Sequence, residues 1–318
     1  MLRPVLAAAA LSPLLLWAAL ALNISLRETL DRRAAAPTEG RFVRAGDLDL
    51  FVQELGPENG EVVLFTHGMG AWSGLWRIVL EPVCGKVRCV AVDLPPFGYS
   101  QPAPDLDYGR PAQARRLWAL ADALGAKKVS IVGHSFGGGP AAEMALQHPE
   151  RVRRLVLIAP ALSLGQPDAV PGPIGALLYW PAFGRLAVSA TMTNPLLLRR
   201  GLGNFMADPK SATAEMAAVL RRPIYVKGKT GDLAGWLPRF LYGRERCLSK
   251  DESAFARLTM PTLLIWGDKD KTTPLRQGER LKTLIPKSEL AVFPGIGHMP
   301  HLEAPSPVAA RIVAHLSP

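Results

Sequence analysis

The sequence predicts an α/β fold with a mostly parallel central sheet, flanked by helices and interrupted by an inserted helical lid. Short apolar strands alternate with helical patterns, and several strands are apolar on both faces, which is typical of a parallel sheet covered on both sides. From residue 161 to about residue 255 this alternation stops, and prolines separate short helical patterns. A chain of 318 residues that is 48% hydrophobic can bury one large core.

The predicted elements follow in chain order. An N-terminal hydrophobic segment with a linker occupies residues 1–40, residues 41–160 and 256–318 form the α/β core, and residues 161–255 form the lid. A helix is expected over about Pro111 to Leu124, with its leucines on one face. The predicted strands are Leu48 to Glu54, Val62 to Phe65, Cys89 to Val92, Val129 to Val132, Leu155 to Ile158, Thr262 to Trp266 and Leu290 to Phe293.

A G-x-S-x-G motif, residues 133–137, follows the strand that begins at Val129 and precedes a helical pattern at Gly138 to His148. Small residues at both ends of such a strand-turn-helix unit permit a tight turn that exposes the serine at its apex. The helix start supplies a backbone N–H and a positive dipole end beside the serine oxygen. The motif therefore predicts that Ser135 is a nucleophile.

A serine hydroxyl needs a base to remove its proton, and the base needs an acid to orient it. Of the six histidines, His298 lies in a Gly- and Pro-rich loop after a predicted strand, where its side chain can reach a neighbouring turn. His301 is the nearest rival but lacks flanking glycines. His298 is the predicted base, and structural roles are expected for His67, His134, His148 and His315.

The acid should also follow a strand, and Asp268 and Asp270 both come directly after the strand that ends at Trp266. Asp270 is further into the loop and is the predicted acid, while Asp268 is expected to cap turn amides in its own loop. The order Ser135, Asp270, His298 differs from the orders in chymotrypsin and subtilisin. Two backbone amides, those of Met69 and Phe136, are the predicted oxyanion donors.

These motifs resemble the α/β-hydrolase superfamily, in particular its lidded branch of esterases, haloperoxidases and carbon–carbon hydrolases. The resemblance extends from about Arg41 to the C-terminus and includes the His67-Gly68-Met69-Gly70 loop and the Asp93 loop. Family members often carry Arg-Gly where this chain has Pro95-Pro96. Epoxide hydrolases and haloalkane dehalogenases of the family use an aspartate nucleophile, and Ser135 argues against those reactions.

The resemblance implies hydrolysis of a carboxylic ester of lipophilic or medium-chain acyl type through an acyl-enzyme, without a cofactor. Carbon–carbon bond hydrolysis or cofactor-free perhydrolase chemistry would use the same triad. A non-catalytic ligand-binding or receptor protein is the alternative of another class. The substrate-binding residues are not predicted individually, although lid aromatics and methionines are candidates for the wall of an acyl pocket.

The net charge of +10 is concentrated in the lid, where residues 185–257 hold 13 Lys and Arg against 6 Asp and Glu. This surplus would suit anionic lipid or an anionic substrate, and a solvated surface of no specific use is an equal alternative. No stretch resembles a nucleic-acid module, so that partner is not expected. The spacing of Cys84, Cys89 and Cys247 does not suit structural zinc, and a bridge between the first two would leave the third unpaired.

The N-terminal segment from Pro4 to Leu22 is apolar and long enough to cross a bilayer. Its flanks carry more positive charge after the segment than before it, which favours an uncleaved membrane anchor over a signal peptide cleaved near Ala19-Leu20-Ala21. A buried core helix is a weaker third interpretation. The side of the membrane and the oligomeric state are left open by the sequence.

Overall fold

The computed structural model describes residues 15, 17–164 and 168–317. Its centre is an eight-stranded sheet in the order β1-β2-β4-β3-β5-β6-β7-β8, antiparallel from β1 to β4 and parallel from there on. This confirms the predicted α/β-hydrolase fold class. The strands are β1 Gly40–Ala45, β2 Leu48–Leu55, β3 Glu61–Thr66, β4 Val87–Val92, β5 Val129–His134, β6 Val152–Ile158, β7 Thr262–Gly267 and β8 Ser288–Phe293.

The strand β1 was not predicted. Its two arginines, Arg41 and Arg44, are exposed and only Val43 and Ala45 are buried, because the strand lies at the sheet edge and pairs with β2 alone. The helices, numbered in chain order, are α1 residues 17–27, α2 Arg32–Ala35, α3 Arg77–Val83, α4 Arg110–Ala123, α5 Gly138–Gln147, α6 Pro173–Leu177, α7 Pro181–Ala190, α8 Leu198–Gly203, α9 Ala214–Arg221, α10 Lys229–Tyr242, α11 Arg276–Leu284, α12 Pro300–Glu303 and α13 Pro305–Leu316.

Helices cover both faces of the sheet because successive strand residues point to opposite sides. In β3, Val63 and Phe65 pack with α3 and α13 on one face. Val62 and Leu64 face the other side, where α4 and α5 pack. Each inner strand is therefore apolar on both faces, as a parallel sheet between two helical layers requires.

Helices α6 to α10 lie between β6 and β7, within the segment predicted as the lid. Cys84 and Cys89 form a disulfide that joins the end of α3 to β4, and Cys247 is a free, half-buried thiol. In the described part of the chain, no helix combines the length and the apolar character needed to cross a membrane. Most of the predicted anchor, residues 4–14, lies outside the described residues.

Candidate active site

The elbow places Ser135 at the end of β5 in a strained conformation. Its backbone φ is 49°, in the left-handed region that residues with a side chain seldom adopt. The turn is possible because glycines flank it: a Cβ on Gly133 would lie 2.6 Å from the Cβ of Ala141. A Cβ on Gly137 would lie 2.5 Å from the His67 carbonyl oxygen. The predicted reason for the motif, a turn with no space for side chains, is therefore visible in the packing.

The structure brings Ser135, His298 and Asp270 into one hydrogen-bonded chain. The distance from His298 Nε2 to Ser135 Oγ is 2.8 Å, and that from His298 Nδ1 to Asp270 Oδ2 is 2.8 Å. A carboxylate can only accept, so Nδ1 carries the proton and Nε2 is free to accept from the serine hydroxyl. All three side chains are buried. The arrangement can deprotonate a serine as it attacks a carbonyl carbon.

Asp270 is itself fixed by its own loop. Its Oδ1 accepts from the amides of Thr272 and Thr273 at 2.8 and 2.9 Å, and the Thr273 hydroxyl donates to its Oδ2 at 2.8 Å. Asp268 is more exposed and accepts from the Gly295 amide at 2.7 Å. It therefore caps the adjacent loop, which leads to His298, and not the turn of its own loop as the sequence suggested.

The predicted oxyanion residues flank the nucleophile. Phe136 follows Ser135 in the chain, and Met69 follows Gly68, where an added Cβ would lie 3.3 Å from the Cβ of Ser135. Within the described residues, the Met69 amide donates to no protein acceptor, so it is available to a ligand. Their role as donors stays a prediction.

His67 holds the loop that carries Met69. Its Nδ1 donates to the Gly68 carbonyl at 2.8 Å, and its Nε2 accepts from the Leu94 amide at 2.9 Å. Burial lowers the pKa of His67 to about 4, so the ring is neutral at pH 7. Both ring nitrogens bond to the backbone, which is the structural role that the sequence suggested.

Two residues position the loop of the base: His134, for which the sequence indicated only an unspecified structural role, and Glu303, which it did not single out. His134, inside the elbow motif, donates from Nε2 to the carbonyl oxygen of His298 at 2.9 Å and so ties the base's loop to the nucleophile's strand. Glu303 accepts from the amides of Gly297 and Met299, on either side of His298, and from the Ala207 amide of the lid. The motif gave a signal for His134, but nothing in the local sequence marks Glu303.

His301, the rival base, is buried, and the histidine that bonds to the nucleophile is His298. Its ring packs against Trp76 and His134, with ring centroids 4.7 and 4.4 Å apart. Burial lowers its pKa to about 3. No group of residues suited to hold a metal ion is found in the described part of the chain.

An apolar cavity of about 380 Å³ has Met69 and Met299 in its wall and so lies beside His298, the residue before Met299. Its wall includes the candidates Met192 and Phe205 from the lid, and the Phe205 ring lies 5.8 Å from that of His298. A second, more polar cavity of about 500 Å³ lies on the far side, beyond Phe136. Two further lid aromatics, Trp236 and Phe240, line that second cavity.

Residues 61–305 match the family model of the alpha/beta hydrolase fold, and the chain belongs to this family. With its serine nucleophile elbow, it is a serine hydrolase of that fold. A curated relative, the 2-hydroxymuconate semialdehyde hydrolase of Pseudomonas sp. (strain CF600), is 30% identical over 277 residues, covering 84% of this chain and 90% of the relative.

Two solved structures share the fold. A meta-cleavage product hydrolase from Pseudomonas fluorescens IP01 superposes with a TM-score of 0.70 at 24% identity, covering 87% of this chain and 97% of that one. A bacterial membrane phospholipase A superposes with a TM-score of 0.66 at 24% identity, covering 99% of this chain and 97% of that one. At these identities the two structures establish the fold alone.

Proposed function

We propose that the chain hydrolyses esters of lipophilic carboxylic acids through an acyl-enzyme on Ser135. The apolar cavity beside His298 carries this proposal, because its wall includes the residue after the base and a predicted oxyanion donor. Met69 follows the loop that touches Ser135, and Met299 follows His298. An acyl chain in this cavity would present its carbonyl carbon to the Ser135 hydroxyl.

In the proposed reaction His298 Nε2 takes the hydroxyl proton as Ser135 Oγ bonds to the carbonyl carbon. The Met69 and Phe136 amides would donate to the oxyanion, each contributing about 3 kcal/mol of transition-state stabilisation. His298 then protonates the leaving alcohol. Water, deprotonated by the same histidine, attacks the acyl-enzyme and releases the acid and free Ser135.

The test is a series of p-nitrophenyl esters of rising chain length. Each methylene that enters the cavity should contribute about 0.8 kcal/mol, or about fourfold in kcat/KM, until the cavity is full. Ala71 lies on the cavity wall, so Ala71→Phe should move the best chain length to shorter esters. Ala169→Phe, on the wall of the second cavity, is the matched control and should leave the optimum unchanged. A flat dependence on chain length would reject the cavity as the acyl site.

Carbon–carbon hydrolysis of ring-cleavage products is the second candidate, and the curated relatives favour it over ester hydrolysis. Such substrates carry a carboxylate, which needs a cation. Arg200 is the charged side chain among the described residues that line the apolar cavity. Under this alternative, Arg200→Gln should raise KM for a coloured dienoate at least tenfold and leave neutral ester hydrolysis unchanged.

A fluorophosphonate probe separates both enzymatic candidates from a receptor and needs no substrate. Rapid labelling at Ser135, located by mass spectrometry, requires an activated serine. Labelling with turnover of the dienoate but of no ester would replace the main proposal by the second. Bromination that depends on a carboxylic acid would instead identify a perhydrolase. An unlabelled, folded protein would favour the receptor interpretation.

A further inference from the structure

The N-terminal helix α1 is attached to the lid by a buried polar cluster. Arg27 at the helix end is 7% exposed, and its Nη2 donates to the hydroxyls of Thr193 and Thr230 at 3.0 and 2.9 Å. Glu28 lies 3.3 Å from the Arg27 guanidinium and accepts from the Thr230 amide at 3.0 Å. Because buried charges must keep their hydrogen bonds, this cluster holds the end of α1 in a defined position against the lid.

The attachment continues past the helix. The Leu30 amide donates to the Tyr225 carbonyl at 3.1 Å, and the Lys227 amide donates to the Leu30 carbonyl at 3.0 Å. Arg32 then pairs with Asp232 of α10 at 3.4 Å. Residues 27–32 therefore bind the lid along both α10 and the turn before it.

The point of attachment adjoins the segment 191–197, between α7 and α8, which we call the rim of the apolar cavity. Thr193, the partner of Arg27, belongs to the segment between α7 and α8, and Met192 and Leu197 of this segment line the cavity. Leu197 is also 38% exposed, so this part of the cavity wall reaches the protein surface. The helix α1 and the cavity rim are thus parts of one assembly.

This assembly carries large apolar side chains that face outwards. Leu22 and Leu26 of α1, Leu196 of the rim, and Ile174 and Trp180 before α7 are all more than half exposed. We call these five residues the lid face. Exposed apolar side chains cost free energy in water, and a group of them on neighbouring segments marks an interaction surface.

We infer that the lid face rests on an anionic phospholipid bilayer, so that the apolar cavity opens into the lipid. Two features of the chain specify this occupant. The sequence from residue 4 to 22, which continues into α1, is apolar and of bilayer-spanning length. The lid segment 185–257 has 13 basic against 6 acidic residues, which complements anionic headgroups.

The inference rests on the proposed ester hydrolysis and narrows its substrate to a lipid ester. This ester would pass from the bilayer straight into the cavity. An acyl chain that follows this route never crosses water. The helix α1 would hold the cavity rim at the height of the headgroups through the Arg27 cluster.

Tryptophan fluorescence tests the docking without reference to catalysis. Of the seven tryptophans, Trp17 and Trp180 are 52% and 64% exposed, and the other five are buried. The full chain with Trp17→Phe is reconstituted in vesicles of phosphatidylcholine and phosphatidylglycerol with brominated acyl chains. The exposed component of its emission, which belongs to Trp180, should be quenched at least twofold, and the added substitution Trp180→Phe should remove this quenching.

Trp180 emission that the brominated lipid leaves unchanged would overturn the inference. So would emission that changes with protein concentration and not with lipid, since that result would assign the lid face to a second copy of the chain.

Kinetics test the entry route. The double variant Leu26→Gln/Leu196→Gln should lose at least tenfold in hydrolysis of an ester embedded in the same vesicles, and stay within twofold on a soluble short-chain ester. Leu55→Gln makes the same Leu-to-Gln change at the end of β2, where the side chain is 42% exposed. It is the control and should change the hydrolysis of neither ester.

Equal losses on both esters, or no loss on either, would overturn the route. If the wild-type chain hydrolyses neither ester, the proposed function fails, while the quenching of Trp180 still decides the docking.

Discussion

Asp270→Asn is the sharpest test of the site, because the structure predicts which way the new amide must point. The Oδ1 position of residue 270 accepts from two backbone amides, those of Thr272 and Thr273. The carbonyl oxygen of an asparagine would keep that position, so its NH₂ group would face His298 Nδ1. The imidazole would then accept at Nδ1 and carry its proton on Nε2, where it could not accept the proton of Ser135.

The expected loss in kcat is about 10³- to 10⁴-fold, equivalent to about 4 to 5.5 kcal/mol of transition-state stabilisation, with little change in KM. Asp268→Asn is the matched control from the same loop. Its oxygen could still accept from Gly295, and a change of less than about threefold is expected.

The assay is the rate of Ser135 labelling by a fluorophosphonate, with steady-state turnover measured on whichever ester or dienoate the wild type accepts. Raising the pH should not restore the activity of the Asp270→Asn variant. The activity is lost because the neutral imidazole has the wrong tautomer, and not because it is protonated. A variant that keeps more than a tenth of the activity, or an equal loss in Asp268→Asn, would refute the assignment of the acid.

Three further predictions follow from the packing and the buried histidines. Ser135→Ala should lower turnover at least about 10⁴-fold and leave circular dichroism unchanged, and a pure variant that stays active would reject Ser135 as the nucleophile. Gly137→Ala should destabilise the fold by at least about 2 kcal/mol in urea denaturation, because its Cβ would meet the His67 carbonyl oxygen at 2.5 Å; Gly85→Ala, where nothing lies within 4 Å, should cost less than about 0.5 kcal/mol. Burial lowers the pKa of His67 to about 4 and of His301 to about 3, so the unfolded chain binds more protons than the folded chain below pH 6.5. Stability should therefore be complete above pH 6.5 and fall towards pH 4, with each ring costing about 2 kcal/mol by pH 5, as urea denaturation at pH 7 and pH 5 would measure.

The pH dependence of stability and the cost of Gly137→Ala each have a control. His148→Gln changes an exposed histidine and should leave the difference in stability between pH 7 and pH 5 unchanged, whereas His301→Leu should reduce it. Equal stability of the wild type at both pH values would contradict the buried neutral state of the two rings. If Gly85→Ala and Gly137→Ala cost the same, the close contact at the elbow would not be the cause.

The fold class and the meeting of Ser135, Asp270 and His298 could be predicted because each feature has a local signal. Each of these residues lies in a turn or loop that follows a strand, and parallel strands bring their carboxyl ends to one edge of the sheet. Glycines and prolines mark those loops in the sequence. The roles of the three residues in catalysis remain for the variants above to establish.

Other features had no local signal. The edge strand β1 carries two exposed arginines and only two buried residues, so its sequence has neither the apolar run nor the strict alternation that predicts a strand. Glu303 joins the base's loop to the lid through amides that lie up to 96 positions away in sequence. The capping of Gly295 by Asp268 likewise depends on the neighbouring loop, across 27 positions.

The sequence by itself determined the alternation of strands and helices, the strained serine turn and the identity of its partners, since these follow from periodicity and from residues that only certain backbone geometries accept. Only the tertiary structure decided which side chains hold those partners in place, where the apolar cavity opens, and that Arg27 is buried against the lid. Such contacts join residues as far apart as 203 positions, and their free energy exists only once hydrophobic burial has brought the distant segments together.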